Sequence, residues 1–315
     1  MNSIEYIASI LKQEGVEWMA CFPSNPLIEA VAKEGIRPVA FRHERGAVMA
    51  ADGFSRLSDR KRFGVVAMQS QAGAENSIGG LSQAFADNVP ILVLPGGNPL
   101  DMLFIRPNFV AARTWESVVK KVEFISRPDQ TGNVMRRAFH ALRSGSPGPV
   151  VVEMPIDVCM ADIPERAQPY TSPMPALSEP SPNDLDDAAK ALVAAKNPLI
   201  WAGAGVLSAG ATEELRALAE LLDIPVYTSM PGKSAFDERH PLSLGAGGST
   251  VTGPARQWLD SADVIFAIGA SLTSSPYAQR FSPEKFLIHS VINIDEINKD
   301  TIADIGLAGD ARLTL

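Results

Sequence analysis

Short, mostly apolar segments of strand length alternate with helix-length segments along nearly the whole chain, and this alternation leaves few folds open. Trp18-Met19-Ala20-Cys21-Phe22, Pro38-Val39-Ala40-Phe41, Gly64–Met68, Ile91–Leu94, Val122–Ile125 and Pro149–Met154 are the strand candidates of the first half. Near-continuous apolar strands are buried on both faces, as happens in parallel sheets covered by helices. Between them, Ile4, Ile7, Ala8 and Leu11 repeat at helical spacing, and Gly15 is placed to stop that helix. Leu27 to Glu34, the stretch from Gly46 onward, Val110 to Lys120 and Asp129 to Arg143 also read as helices. Strand, helix and strand in this rhythm make right-handed βαβ units.

The rhythm is interrupted once. Pro164, Pro169, Pro173, Pro175, Pro180 and Pro182 fall in a stretch without apolar period, the composition of an extended linker. The alternation then restarts with Pro198–Ala202, Ile224–Thr228, Ala262–Ile268 and Val291–Asp295 as strands and Ala211–Leu222 as a helix. The expected fold is α/β, two doubly wound parallel-sheet (Rossmann-like) domains joined by a Pro-rich linker. The expected boundaries are 1–163, 164–182 for the linker, and 183–315.

A chain of 315 residues suits two such domains. The net charge of −8 argues against nucleic acid, which selects basic surfaces. No apolar run reaches the roughly 18 residues that span a bilayer, and Met1-Asn2-Ser3-Ile4-Glu5 has neither a basic nor an apolar leader segment. A cytoplasmic protein without a membrane partner is expected. Cys21 and Cys159 lie far apart in strand-like surroundings and are expected to be buried free thiols in a reducing compartment. The four histidines are scattered, and no His/Cys cluster has metal-ligand spacing.

Chemistry concentrates in Phe41-Arg42-His43-Glu44-Arg45-Gly46-Ala47-Val48-Met49-Ala50-Ala51-Asp52-Gly53-Phe54-Ser55-Arg56. Glu44 stands at a strand-to-helix turn, which aims it into the crevice at the carboxyl end of a parallel sheet. Gly46, Ala47, Ala50, Ala51 and Gly53 keep the following helix thin, so that a backbone or a flat ring can approach. The next strand, Gly64–Met68, leads into Gln69-Ser70-Gln71-Ala72-Gly73-Ala74-Glu75-Asn76 and a helix to Asp87, and Asp87-Asn88-Val89-Pro90 precedes the strand Ile91–Leu94. A solvated corner before an Ala-rich packing helix is the simpler account of Glu44 taken alone.

Taken together, R-H-E-x-G-A, A-x-G-F-x-R, S-x-x-G-A-x-N and A-x-x-D-x-x-P-[IL], in this order and spacing, resemble the pyrimidine-binding domain of thiamine-diphosphate enzymes, closest to the acetolactate synthase-like branch. The closing motif Gly148–Asp157 fits the same domain. Ala202-Gly203-Ala204-Gly205-Val206, Ala262–Ala270, Ile292–Asp295 and Gly309-Asp310-Ala311 resemble the family's central domain.

The resemblance implies that Glu44 hydrogen-bonds the aminopyrimidine ring of thiamine diphosphate and favours the imino tautomer that accepts the thiazolium C2 proton. The cofactor then attacks a 2-oxo acid and serves as electron sink after carbon dioxide leaves. It also implies cofactor contacts from Pro23, Ser24 and Asn25 in the first turn, although Ser24-Asn25 stands where glycines are common, and from Gly73 and Asn76. His43 is expected to support Glu44 or simply to pack. Lys120 and Lys121 fall near a lysine of some relatives but read equally as solvated charges. Gly97-Asn98 stands where acetolactate synthases usually carry glutamine.

The central domain binds FAD in acetolactate synthases, an adenine nucleotide in some relatives and nothing in others. Gly203-Ala204-Gly205 lacks a third glycine at dinucleotide spacing, and Ala270-Ser271-Leu272-Thr273-Ser274 departs from the Arg- and Asp-containing form, so FAD is not the expected ligand. The Gly-Asp-Gly and Asn-Asn residues that hold Mg²⁺ and the diphosphate in the family do not occur in the expected arrangement. The cofactor would therefore need a diphosphate-binding domain, from a longer chain or a separate subunit.

The expected activity is decarboxylation and carboligation of a 2-oxo acid by a homo-oligomer. A 2-hydroxyacyl-CoA lyase or 2-oxo acid decarboxylase is the alternative within enzymes. A non-catalytic binding or regulatory protein is the alternative outside them.

Overall fold

The computed structural model describes residues 1–58, 61–165 and 167–315. The chain divides into two units, Met1–Ala176 and Leu177–Leu315.

The first unit runs α1 (Ser3–Gln13), β1 (Trp18–Cys21), α2 (Leu27–Lys33), β2 (Arg37–Ala40), α3 (Glu44–Leu57), β3 (Gly64–Met68), α4 (Ala72–Glu75), α5 (Ile78–Ala86), β4 (Ile91–Gly97), α6 (Ala111–Thr114), β5 (Lys121–Phe124), α7 (Thr131–Arg143), β6 (Val150–Pro155) and α8 (Ile156–Cys159). α1 opens on a capping box, with the Asn2 side chain accepting from the Glu5 amide while Glu5 reaches back to the Asn2 amide. All strand pairs are parallel, in the order β2-β1-β3-β4-β6-β5.

Alternate residues of the central strands supply two cores. Val65, Ala67, Leu92, Leu94, Val150 and Val152 face α1 and α7, whereas Val66, Met68, Ile91, Val93 and Val151 face α3 and α5. That period-two division explains why these strands are apolar on every residue. α3 lies so close to the sheet that a Cβ on Gly64 would come 2.3 Å from the Ala51 carbonyl oxygen. Ser55 fastens the contact, accepting from the Gly64 amide at 2.8 Å and donating to the Pro90 carbonyl at 2.6 Å.

One expected helix is mostly absent. The stretch Val110–Lys120 forms only the four-residue α6 and a single 3₁₀ turn at Glu116–Val118. Trp115 and Val119 must both enter the core before β5 begins at Lys121, and Val119 is already extended. The expected linker has no helix or strand before Pro182, and its Arg166 lies outside the described residues. Its first half is nonetheless bound to the first unit. Tyr170 is buried, its amide donates to the Tyr6 hydroxyl at 2.7 Å, and its own hydroxyl bonds Glu14.

The second unit runs α9 (Pro182–Ala194), β7 (Pro198–Ala202), α10 (Ala204–Ala209), α11 (Thr212–Leu222), β8 (Val226–Ser229), β9 (Ser243–Gly247), α12 (Gly253–Ser261), β10 (Val264–Ile268), β11 (Phe286–Val291), β12 (Ile305–Ala308) and α13 (Ala311–Thr314). Its six strands are also all parallel, in the order β12-β11-β10-β7-β8-β9. Ile200, Val226, Phe266 and Ile288 pack on one face; Leu199, Trp201, Tyr227, Ile265 and Leu287 pack on the other. Both units are doubly wound α/β sheets, as the alternation requires.

The final strand differs from expectation. Val291 ends β11 instead of opening a strand, and Ile294–Glu296 is a 3₁₀ turn. His289 and Ser290 mask β11 as a sequence signal, yet both are buried. The His289 Nε2–H donates to the Ala270 carbonyl at 2.8 Å, and burial holds its pKa below the ordinary histidine value.

Candidate active site

In an open parallel sheet the binding crevice lies at the carboxyl ends of the strands, where the winding reverses. In the first unit that reversal falls at β1, which has β2 on one side and β3 on the other. The loops after β1, β2 and β3 therefore meet there, and they carry Pro23–Asn25, Glu44, and Gly73 with Asn76.

Glu44 is the first residue of α3 and is only 3% exposed. Asn76, the C-terminal cap of α4, donates from Nδ2 to Glu44 Oε2 at 3.1 Å. Among the described residues nothing donates to Oε1. Beside that oxygen stands Gly73, where an added Cβ would lie 3.3 Å from Oε1 and 2.5 Å from Gln69 Cγ. A largely buried carboxyl group with one oxygen bonded by no protein donor suits a donor that arrives with a ligand. The glycine keeps the space in front of that oxygen clear of a side chain. Glu44, Gly73 and Asn76 are thus brought together.

His43 has a different task. Its Nδ1 accepts from the Arg45 amide at 3.1 Å, capping α3, and lies 3.9 Å from Glu44 Oε2. A ring nitrogen that accepts a backbone N–H has no proton there to give to the carboxylate.

Asn25 is buried in the loop after β1, but its polar atoms are engaged by the protein. Nδ2 donates to the Met68 carbonyl at 2.8 Å and the Leu94 carbonyl at 3.2 Å, and Oδ1 accepts from the Leu27 amide at 2.9 Å. Asn25 thereby ties the end of β3 and the middle of β4 to the start of α2. Pro23 and Ser24 are exposed on the same loop.

Lys120 and Lys121 lie elsewhere, at the amino end of β5. Lys120 donates to the Ala141 and Ser144 carbonyls at the end of α7, and its partial burial lowers its pKa to about 8. Lys121 lies 3.3 Å from Glu123.

Two features were not anticipated from the sequence. Gln71, at φ +58°, bonds Asn98 Oδ1 at 2.7 Å and Asn108 Oδ1 at 3.3 Å, and accepts from the Phe109 amide at 3.0 Å. It clamps the loop after β3 to the loop after β4. A non-glycine residue in the left-handed region leaves no sequence signal, because nothing in its type announces it. The second is Glu153 on β6, which accepts from the Ala112 amide at 2.7 Å and is raised by burial from 4.5 to about 7. Its place within an apolar strand was the available signal.

The motif residues Asp52, Arg56 and Asp87 form an ion-pair group. Arg56 bonds both Asp52 oxygens and donates to Asp87 at 2.8 Å, linking α3 to the end of α5. These positions carry the sequence resemblance but serve the scaffold.

In the second unit the winding reverses at β7, flanked by β8 and β10. Here Gly203 and Gly205 are required by the loop opposite. A Cβ on Gly203 would come 2.2 Å from the Gly269 carbonyl oxygen, and one on Gly205 would come 2.6 Å from the Gly269 Cα. Their contacts account for both glycines without invoking a nucleotide. Among the described residues no group of three or more His, Cys, Asp or Glu side chains is placed to hold a metal ion. Among the described residues no helix is long and apolar enough to cross a membrane.

Comparison with known proteins identifies the family. Residues 1–106 match the thiamine pyrophosphate enzyme, N-terminal TPP binding domain, and residues 185–315 match the central domain of the same enzymes. The probable acetolactate synthase large subunit of Methanocaldococcus jannaschii is 33% identical over 100% of this chain and 55% of its own length. The acetolactate synthase isozyme 3 large subunit of Escherichia coli is 31% identical over 100% of this chain and 57% of its own. An acetolactate synthase of Mycobacterium bovis is 32% identical over 92% of this chain and 47% of its own. The chain belongs to the thiamine pyrophosphate enzyme family, in its acetolactate synthase-like branch. It spans about half the length of the curated relatives it matches.

Proposed function

We propose that this chain provides the pyrimidine-binding domain (1–163) and central domain (183–315) of an enzyme that decarboxylates and ligates 2-oxo acids with thiamine diphosphate. The observation that carries this is the buried Glu44 with Oε2 held by Asn76 and Oε1 open beside Gly73. Those residues fit an aminopyrimidine ring: a flat group enters past the glycine and meets an unpartnered carboxyl oxygen.

Thiamine diphosphate supplies the carbon nucleophile and the electron sink when bound. With the aminopyrimidine ring bound, Glu44 would hold a proton at Oε1 and pass it to and from the ring. Asn76 fixes the other oxygen so that Oε1 keeps its aim. Asn25 and Gln71 hold the three loops that frame the ring. Low exposure at Glu44 keeps water from competing for the proton.

The diphosphate and its Mg²⁺ are assigned on this proposal to a diphosphate-binding domain supplied in cis or in trans. Met49 on α3, Phe85 on α5 and Phe104 in the loop after β4 are exposed apolar side chains, which supports a homo-oligomer. Two relatives named as large subunits support a further, smaller partner subunit. A cytoplasmic setting completes the proposal.

The test combines the chain with such a domain, Mg²⁺ and thiamine diphosphate and follows release of carbon dioxide from a 2-oxo acid. Release that depends on Glu44 is expected. Equal release by Glu44→Gln, or none from any 2-oxo acid, contradicts the proposal.

A further inference from the structure

Away from the crevice, the first unit has a second concavity of about 310 Å³, lined by Lys121, Arg136, Arg137, His140 and Pro173. Among the described residues no acidic side chain lines it. Lys121 begins β5, which is the edge strand farthest from β2, and lies at the amino ends of the strands. Glu44 follows the carboxyl end of β2. The two places are at opposite corners of the sheet.

The charge here is not balanced. Glu123 is the carboxylate that Arg137 and Lys121 share, through bonds of 2.6–3.0 Å from Arg137 and an approach of 3.3 Å from Lys121. Arg136 is exposed and has no ion pair among the described residues. Three permanent cations against one carboxylate leave two positive charges, in a chain whose net charge is −8. Self-repulsion of such a cluster costs energy unless an anion joins it.

The negative end of α7 would oppose an anion, but it is covered: Lys120 donates to the Ser144 carbonyl at 2.6 Å. The segment that contributes Pro173 is fastened in place, with Arg143 bonding the Ser172 hydroxyl at 3.0 Å and the Pro173 carbonyl at 3.2 Å, and Ser144 accepting from the Ala176 amide at 3.0 Å. The wall of the concavity is therefore built.

We propose that this concavity binds the phosphate group of a small ligand. The Arg136 guanidinium is free to fork onto two phosphate oxygens, while Arg137, whose Nε and Nη2 already bond Glu123, offers its Nη1 and Lys121 its ammonium. The volume suits a small molecule, at the lower end of typical ligand sites. An extended polyanion is disfavoured by the net negative charge of the whole chain. Free inorganic phosphate and an organic phosphate ester share the recognising chemistry.

The full chain is titrated by calorimetry with inorganic phosphate and, separately, with glycerol 3-phosphate, up to millimolar concentration in phosphate-free buffer. Saturable binding of at least one probe is expected, weakened about tenfold or more by Arg136→Gln and by Lys121→Gln, because each removes a charge-assisted contact. Tighter binding of the ester marks an organic ligand, and tighter binding of phosphate marks the free ion. Both side chains are at least partly exposed, so circular dichroism of each variant should match the parent. No saturable binding of either probe, or binding unchanged in either variant, overturns the proposal.

Discussion

Asn76 Nδ2 donates to Glu44 Oε2 at 3.1 Å and leaves Oε1 without a hydrogen bond among the described residues. The asymmetry gives the two oxygens different work. One is fixed to the protein, and the other is available to a ligand. Replacing Asn76 by Ala frees the carboxylate to rotate while removing a bond from an exposed residue. Turnover should fall about tenfold, roughly the value of one charge-assisted hydrogen bond. Stability should fall by less than about 1 kcal/mol. Steady-state kinetics of the reconstituted enzyme and urea titration check the two halves separately.

Asn25 should behave in the opposite way. Its three bonds reach the end of β3, the middle of β4 and the start of α2. Asn25→Ala leaves buried backbone groups unsatisfied and should cost about 2–4 kcal/mol. Urea denaturation of the chain without any cofactor measures this. A loss under about 0.5 kcal/mol would show that the loop after β1 is not held by this side chain.

Gly203→Ala tests the packing of the two loops in the second unit. The added Cβ would meet backbone at 2.2 Å, which flexible side chains cannot relieve. A loss of about 3 kcal/mol or more is expected from overpacking against the main chain. Thermal unfolding followed by circular dichroism should show the loss without any nucleotide present.

Glu153 sets a pH dependence. Its carboxyl is held at about 7 against an ordinary 4.5, chiefly by burial. Between these values the unfolded chain has released the proton and the folded chain has kept it, so this group's stabilising contribution is full below 4.5 and is lost as pH rises through about 7. The span corresponds to an effect on the order of 3 kcal/mol. Glu153→Gln should remove this fall, narrowing the difference in stability between pH 5 and pH 8 measured by urea titration. An unchanged difference would show that Glu153 titrates alike in both states.

Much of this architecture could be read from the chain. Every residue of Gly64–Met68 and the Ile91–Leu94 run is buried because both sheet faces are covered, so pattern and environment agree. The position of Glu44 at the turn between β2 and α3 was legible, but its burial was not, since a solvated corner was the simpler account of that segment alone. The edge strands β9 and β12 were missed. Ser243-Leu244-Gly245-Ala246-Gly247 and Ile305-Gly306-Leu307-Ala308 are short and glycine-bearing, and an edge strand needs only one neighbour to hold it. Asn25 was legible as a member of the crevice loop but not in its bonds, which join residues 43 and 69 positions away. The Gln71 clamp was invisible for the same reason: its partners come from another loop, and its backbone conformation is imposed by them.

Association should involve the faces that expose Met49 and Phe85. Isolated apolar residues are ordinary on a surface, but α3 and α5 pack closely side by side, with a Gly80 Cβ position only 2.9 Å from Val48 Cγ1. Light scattering at micromolar concentration should give at least a dimer, and Met49→Glu with Phe85→Glu should shift it toward monomer. A strict monomer in the parent chain contradicts this part of the account.

The central claim is that Glu44 moves a proton with the cofactor ring. Glu44→Gln preserves shape and can still accept at one atom, but it cannot exchange the proton. The measurement is the rate at which the C2 proton of bound thiamine diphosphate exchanges for deuterium, followed by NMR after acid quench, with the diphosphate-binding domain supplied and the cofactor saturating. The account predicts a rate lower by about 10²–10⁴-fold in Glu44→Gln, the usual range for a lost acid–base group, with cofactor affinity changed far less. Equal exchange rates in the two proteins would remove Glu44 from the chemistry and contradict the account.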